Sequence, residues 1–228
     1  MTEVGSKIPY PEVGSEKSLE VGSEKKPEVG IPNNTAYASD VSDIITQLRA
    51  NHVIVHIAVD SIPSGGSNSA TLYEMSFQTN GYCAFATGRD LYNAFYDMTW
   101  ILGTHYQFFA RNFVVSGSGR IEIPTFKTPI PPGYSDWCAT AITVQNHTLD
   151  NSFVSLNYTI ESTDGSYALK RFTNNLFGTS QSALIALNES LFYKWTIDYH
   201  YNTDGPQIIQ LRMYSGYYHD FLPLPPSE

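Results

Sequence analysis

From residue 52 to residue 215 the chain is a succession of short segments in which apolar and polar residues alternate, each closed by a turn signal. A period of two puts successive side chains on opposite faces, so segments of this kind fold as strands with one buried face. The spacing predicts strands at "HVIVHIAVDS" (52–61) and "ATLYEMSFQTNGYCAFAT" (70–87), the latter folded into a hairpin at Asn80-Gly81. Further strands are expected at "NFVVSGSGRIEI" (112–123), "ATAITVQN" (139–146) and "SFVSLNYTIES" (152–162). "GSYALKRF" returns across Asp164-Gly165, and "LFYKWTIDYHY" (191–201) and "QIIQLRMYS" (207–215) flank "NTDGP". Sixteen Tyr and twelve Phe suit this reading, because aromatic side chains fit a pleated, half-buried surface. Many short strands without interleaved helices predict an all-β sandwich or barrel. "RDLYNAFYDMTWIL" (89–102) fits either a short helix or a packed loop.

One helix stands apart at the N-terminal side. Val41, Ile44, Ile45 and Leu48 recur at i, i+3, i+4 and i+7, which is one face of an α-helix from Asp40 to Asn51. Ser39 or Asp40 can cap it, and Asp40 and Asp43 favour its positive end. Its length of about twelve residues gives roughly 18 Å.

Ahead of it, "EVGS" begins at Glu3, Glu12 and Glu20, and "EVG" at Glu28. Six Glu, four Lys, four Gly and three Pro in residues 1–30 leave too little apolar surface to offset the entropy of ordering. The expected division is therefore a disordered, repeat-containing tail at 1–38 and a β-sandwich domain at 39–228. A folded part of about 190 residues buries roughly 70% of its unfolded surface and needs no staples.

Thirteen basic against twenty-two acidic residues give a net charge of −9, which opposes binding to nucleic acid and gives no attraction to anionic lipid. No apolar run marks a signal peptide or a membrane span, which implies a cytoplasmic or non-classically secreted protein. Cys83 and Cys138 have no metal-ligand spacing and read as free thiols in preference to a disulfide. His56 and His200 read as surface or interface side chains. The glycines of "SGSGR" (116–120) read as a relaxed hairpin in preference to an anion nest. No G-x-S-x-G elbow, Walker loop or H-E-x-x-H is present. The sequence predicts neither enzyme nor cofactor nor metal.

The most distinctive stretch is "IPPGYSDWCATAITV" (130–144), a proline-braced aromatic loop leading into a strand. It resembles the proline–aromatic loop of the actinoporins and the Trp-Cys strand of the fungal fruit-body lectins. The helix running into "VIVHIAVDS" and the closing "WTIDY…DG…IIQLRM" hairpin are similar to elements of the same β-sandwich superfamily. The resemblance implies an actinoporin-like sandwich with one short N-terminal amphipathic helix. It also implies that Tyr134 and Trp137, braced by Pro131 and Pro132 (or Pro129), hold a membrane-lipid headgroup or a glycan. Aromatic faces attract quaternary ammonium groups, and they equally stack on sugar rings. Three departures from those families stand out: Tyr158 is the lone tyrosine in the following strand, Cys138 replaces a second aromatic, and Ala139 replaces the lectins' acidic residue.

The leading expectation is a headgroup- or glycan-binding protein, with an actinoporin-like cytolysin as its membrane-active form. A sugar-only lectin is the first alternative. The second is a structural sandwich, such as a viral coat subunit, that self-associates into a homo-oligomer. Pore formation is not expected, because about twelve helical residues fall short of the roughly twenty that span a bilayer.

Overall fold

The computed structural model describes residues 34–61, 69–146, 150–173, 176, 178–188 and 191–225. The repeat-containing segment 1–33 lies outside the described residues. The chain runs through α1 (Asn34–Ala50), β1 (Ile57–Asp60), α2 (Ser69–Gln78), β2 (Cys83–Ala86) and α3 (Gly88–Gly103). Eight strands follow: β3 (Tyr106–Val115), β4 (Ser118–Lys127), β5 (Ser135–Thr143), β6 (Phe153–Ser162), β7 (Ala168–Thr173), β8 (Ser180–Asn188), β9 (Phe192–Tyr201) and β10 (Gln207–Ser215).

These eight form two four-stranded antiparallel sheets, ordered β3-β10-β5-β8 and β4-β9-β6-β7. Their inner faces share one core. Trp195, fully buried, lies at its centre, with Phe109 of the opposite sheet at 5.7 Å and Tyr158 edge-on at 5.9 Å between ring centroids. Inward residues alternate along each strand, as in Leu156, Tyr158 and Ile160 of β6 and Tyr193, Trp195 and Ile197 of β9. Pro124 lies in β4, an edge strand, where the register breaks between Ile123 and Phe126 and no ladder donor is needed.

The expected hairpin between the last two strands is not formed. β9 pairs with β4 and β6, whereas β10 pairs with β3 and β5, so the segment at 202–206 arches from one sheet to the other. "SGSGR" is likewise an arch between β3 and β4. Gly117 (φ 55°) donates to Thr203 O at 2.9 Å and accepts from Tyr201 N at 2.8 Å, tying the two arches together. The β6–β7 hairpin at Asp164-Gly165 forms as expected.

A third layer covers the outer face of the β3-β10-β5-β8 sheet. Here "ATLYEMSFQ" is helix α2, not a strand, and β1 and β2 pair in parallel across it. Parallel neighbours require a crossover, and the crossover takes the intervening segment as helix. Tyr73 and Phe77, four residues apart, stack at 5.8 Å, and Tyr73 and Ser76 are buried. Asn80-Gly81 is therefore a helix stop. Asn80 (φ 58°) is left-handed, Gly81 N donates to Ser76 O at 2.7 Å, and Asn80 N donates to Phe77 O at 3.3 Å. The same dipeptide serves a hairpin turn and a helix cap because both need positive φ.

Residues 89–102 are helical within α3. Its Ala94, Met98 and Ile101 pack with Tyr82 and Ala84 onto Ala139 and Ala141 of β5, whose small side chains admit the helix. Thr179 fastens this layer to the sandwich, donating from N to Phe85 O and accepting Phe85 N at Oγ1, both at 3.1 Å. Gly178 (φ 65°) precedes it, and a Cβ there would collide with the Phe85 carbonyl oxygen. α1 begins at Asn34, six residues before the expected start, so residues 34–38 of the expected tail are helical. Its apolar face is thinner than predicted, since Ile45 is buried but Ile44 is 46% exposed.

Candidate functional site

The loop that the sequence singles out is a tight turn. Tyr134 N donates to Pro131 O at 3.2 Å, Pro132 follows at the second position, and Gly133 takes φ 87° at the third. This is the type II pattern, in which proline presets one dihedral and only glycine accepts the next without strain. Ile130 (3% exposed) anchors the approach in the core, Pro131 is half-buried and Pro132 exposed.

Beyond the turn, β5 changes character along its length. Cys138, Ala139 and the residues after them are buried on both faces, but Ser135 and Trp137 project past the helical layer. Trp137 is 59% exposed and Tyr134 60%, so neither belongs to the core. Trp137 pairs with the exposed Ala186 of β8, and its backbone N donates to Asp136 Oδ1 at 2.8 Å. The Tyr134 ring lies 6.4 Å from that of Tyr217, which packs against the core edge.

A shallow groove of about 410 Å³ runs beside this loop, lined by Gly133, Tyr134, Ser135, Asn188 and Leu191. Asn188 pairs with Ser135 across the β5–β8 ladder, and its backbone is fixed by Tyr193, whose hydroxyl accepts Asn188 N at 2.7 Å. The groove thus offers an aromatic face, a hydroxyl and an amide on a rigid strand pair, with no cationic side chain among the described residues that line it.

Other residues marked in the sequence take structural places. Tyr158 and Ala139 are buried. Cys83 and Cys138 are free, buried thiols, and burial pushes both up to about 12. His200 is exposed, as expected. His56 is half-buried at the interface between the covering layer and the sandwich: its ring meets Tyr214 edge-on at 5.5 Å, and burial, assisted by the nearby Arg212 charge, pulls its pKa down to about 4. Among the described residues no group of His, Cys, Asp and Glu could hold a metal ion. No described helix is long and apolar enough to cross a membrane.

Sequence reasoning missed a second concavity. A cleft of about 440 Å³ opens where three parts of the chain meet: the α1–β1 loop, the start of β3 and the segment after β10. Its walls include His52, His105, Tyr106, Tyr218 and His219, and Gln107 (5% exposed) also lines it. Residues 216–225 lie over the helical layer as a strap. Arg49 donates to Pro225 O at 2.8 Å, Asn80 Nδ2 to Pro223 O at 3.0 Å, and Phe221 stacks on His52 at 4.4 Å. The available signal was the aromatic–histidine pairing in "THYQ" and "YYHDF", which lies outside any regular element or at its start.

Residues 111–216, 106 of the 228, match a family described as a domain of unknown function (DUF7154). No curated protein matches the chain. Among solved structures, a carbohydrate-binding module of the β-sandwich superfamily is 15% identical, with 46% of this chain and 52% of that one covered and a TM-score of 0.27. The tripod from the baseplate of bacteriophage Tuc2009 is 14% identical, covering 53% of this chain and 96% of that one at a TM-score of 0.28. A family 16 carbohydrate-binding module is 7% identical, covering 46% and 72% at 0.23. The chain spans about half the length of the first of these structures. Neither an actinoporin nor a fruit-body lectin stands among the three, and at these scores the likenesses decide nothing about what this chain binds.

Proposed function

We propose that the protein binds glycans through the Tyr134–Trp137 loop, without catalysing a reaction on them. The observation that carries this reading is the exposure of both rings, about 60% each, on a turn and strand that are otherwise pinned. A large aromatic held rigidly in water costs little further entropy on binding, and its face suits the apolar C–H surface of a sugar ring. Ser135 and Asn188 in the adjoining groove supply a hydroxyl and an amide for sugar hydroxyls. A phospholipid headgroup fits this groove less well. Its phosphate needs donors of positive charge, and none of the described residues lining the groove of this acidic protein supplies one.

The test is a glycan array probed with the full chain and with Trp137→Ala and Tyr134→Ala, each checked for an unchanged thermal midpoint. The expected result is binding to a subset of glycans that either substitution weakens. Absence of glycan binding together with co-sedimentation on neutral phosphatidylcholine vesicles would replace this reading with headgroup recognition.

A structural-subunit reading is favoured by a different observation. α3 turns Tyr92, Phe95, Tyr96 and Trp100 to solvent, 68%, 53%, 53% and 40% exposed, with Tyr96 and Trp100 edge-to-face at 5.9 Å. An apolar stripe of this kind commonly marks a contact surface. Concentration-dependent assembly in light scattering, abolished by Tyr96→Ser, would support that role, and a monomer at all concentrations would remove it.

A further inference from the structure

We infer that the aromatic face of α3 is the contact by which two copies of this chain pair about a twofold axis, the two helices running antiparallel and crossing at Tyr96. The inference rests on the subunit reading given above and fixes its partner and symmetry. Tyr92, Tyr96 and Trp100, spaced by four, form one ridge along the helix, and Phe95 and Thr99 lie beside it on the exposed side. The ridge is centred on Tyr96, with an aromatic ring four residues, or about 6 Å, to either side. Ridges of this kind pack into one another at about −50°, the commonest crossing of packed helices. A twofold axis at Tyr96 sets that ring beside its own counterpart and sets Tyr92 of each copy against Trp100 of the other.

The size of the face fits a second copy. A fully enclosed aromatic side chain buries roughly 150–250 Å², so the uncovered parts of the four rings amount to about 400 Å² per copy. Two facing copies bury about 800 Å² from the rings alone. Arg89 and Thr99 on the same side bring this near the roughly 1,000 Å² at which specific association begins. The complement of the face is the face itself. Among the described residues, the other exposed large apolar side chains come singly or in pairs from separate elements, whereas α3 alone carries five. An open shell needs a second, different face, while a twofold pair needs only this one.

The chemistry of the face agrees. Such a pairing leaves no charge stranded, because Arg89 and Asp90 stand at the rim in the first turn and Asp97 turns to β8, where its carboxylate accepts from Ser182. Thr99 Oγ1 donates to Tyr96 O at 2.6 Å, so that hydroxyl is satisfied within the helix. Tyr96 and Trp100 hold each other edge-to-face at 5.9 Å, and Ala94, Met98 and Ile101 fix the opposite side of the helix on β5. The ridge is therefore in place before association. Antiparallel helices also oppose their dipoles. A bilayer is the poorer occupant. Helices that lie on membranes carry Lys and Arg on their polar face, and Arg89 is the only cation of α3 in a chain of net charge −9.

The experiment is sedimentation equilibrium of the full chain over a concentration series, with Tyr96→Asp and Tyr96→Lys measured alone and mixed one to one. Expected is a monomer–dimer equilibrium with a dissociation constant of roughly micromolar order, as suits a small interface, and no species above the dimer. Each substitution alone sets like charges together at the axis and should weaken dimerisation at least about tenfold. The mixture should dimerise again, because only across a twofold does residue 96 meet residue 96. Tyr92→Asp, at the most exposed of the four rings, should weaken the dimer likewise and serves as the second variant if either change at Tyr96 impairs folding. A monomer at every concentration overturns this proposal together with the subunit reading. Assembly beyond the dimer overturns the twofold pairing and keeps the subunit reading. A dimer that both substitutions at Tyr96 leave intact, or a mixture that stays monomeric, also overturns it. A monomer that co-sediments with phosphatidylcholine vesicles, and loses this in Tyr96→Asp, would assign the face to lipid instead.

Discussion

Nε of Arg212 lies 2.9 Å from the carbonyl oxygen of Asn80, and the arginine that makes this bond is 1% exposed. The same Nε reaches Gly81 O at 3.0 Å, and Nη1 donates to Arg111 O and Leu211 O, both at 3.0 Å. All four of these acceptors are backbone carbonyls. Asn80 and Gly81 follow the C-terminal end of α2, where unpaired carbonyls carry the negative end of the helix dipole. Burial draws the guanidinium pKa down to about 10, so it stays charged at neutral pH. β10 thus drives a cation from the sandwich into the stop of a helix in the covering layer.

Arg212→Met should cost at least about 2 kcal/mol, because it preserves bulk but leaves buried carbonyls without donors. Arg212→Ala should cost about 3–5 kcal/mol. Denaturant unfolding measures both. Hydrogen exchange should show α2 and residues 79–86 opening first, with the two four-stranded sheets still protected. Uniform loss of protection would contradict a role in docking the helical layer.

Trp137 and Trp195 should respond oppositely to truncation. Trp137→Ala removes a side chain that is 59% exposed and should shift stability by no more than about 1 kcal/mol. Trp195→Ala empties the centre of the core and should cost about 3–5 kcal/mol. A large loss for Trp137→Ala would place it in the core and remove the loop from consideration as a binding surface.

Acidification should unfold the protein partly through His56. Its folded pKa of about 4 lies below the ordinary 6.5, so between these values the unfolded chain binds more protons. The stabilisation is complete above pH 6.5 and is lost as pH falls toward 4, amounting to roughly 3 kcal/mol. Asp150 adds to the same trend. Its carboxylate accepts from Ser152, Gln145 and Gln207, which hold its pKa down, and that stability disappears as it protonates. His56→Phe keeps an aromatic beside Tyr214 and should flatten the curve between pH 6.5 and 4. An unchanged pH profile in that variant would exclude His56 as its source.

Both cysteines should be inert in the folded protein. Burial pushes Cys83 and Cys138 up to about 12, so almost no thiolate exists at pH 8, and neither is reachable. Ellman's reagent should find no reactive thiol under native conditions and two in guanidinium chloride. Fast native labelling of either residue would mean that its layer opens readily.

Alternation of apolar residues by itself determined the cores of β6, β7, β9 and β10, and Asp164-Gly165 determined the hairpin between the first two. The Pro132-Gly133 turn and the aromatic loop were equally legible, because proline and glycine fix local dihedrals whatever lies around them. Only the tertiary structure decided which strands pair. β9 and β10 look like a hairpin in sequence, yet they belong to opposite sheets, since alternation records that one face is buried and not what buries it. The same ambiguity hid α2: Tyr73, Met75 and Phe77 alternate like a strand, but parallel pairing of β1 with β2 required a crossover. It also hid β8 and the role of Arg212, a charged residue of "IIQLRM" that is buried because the helical layer covers its face. The His–Tyr cleft left only the histidine–aromatic pairings of "THYQ" and "YYHDF" as a signal, because His52, His105 and His219 come together through long-range packing and carry no local period.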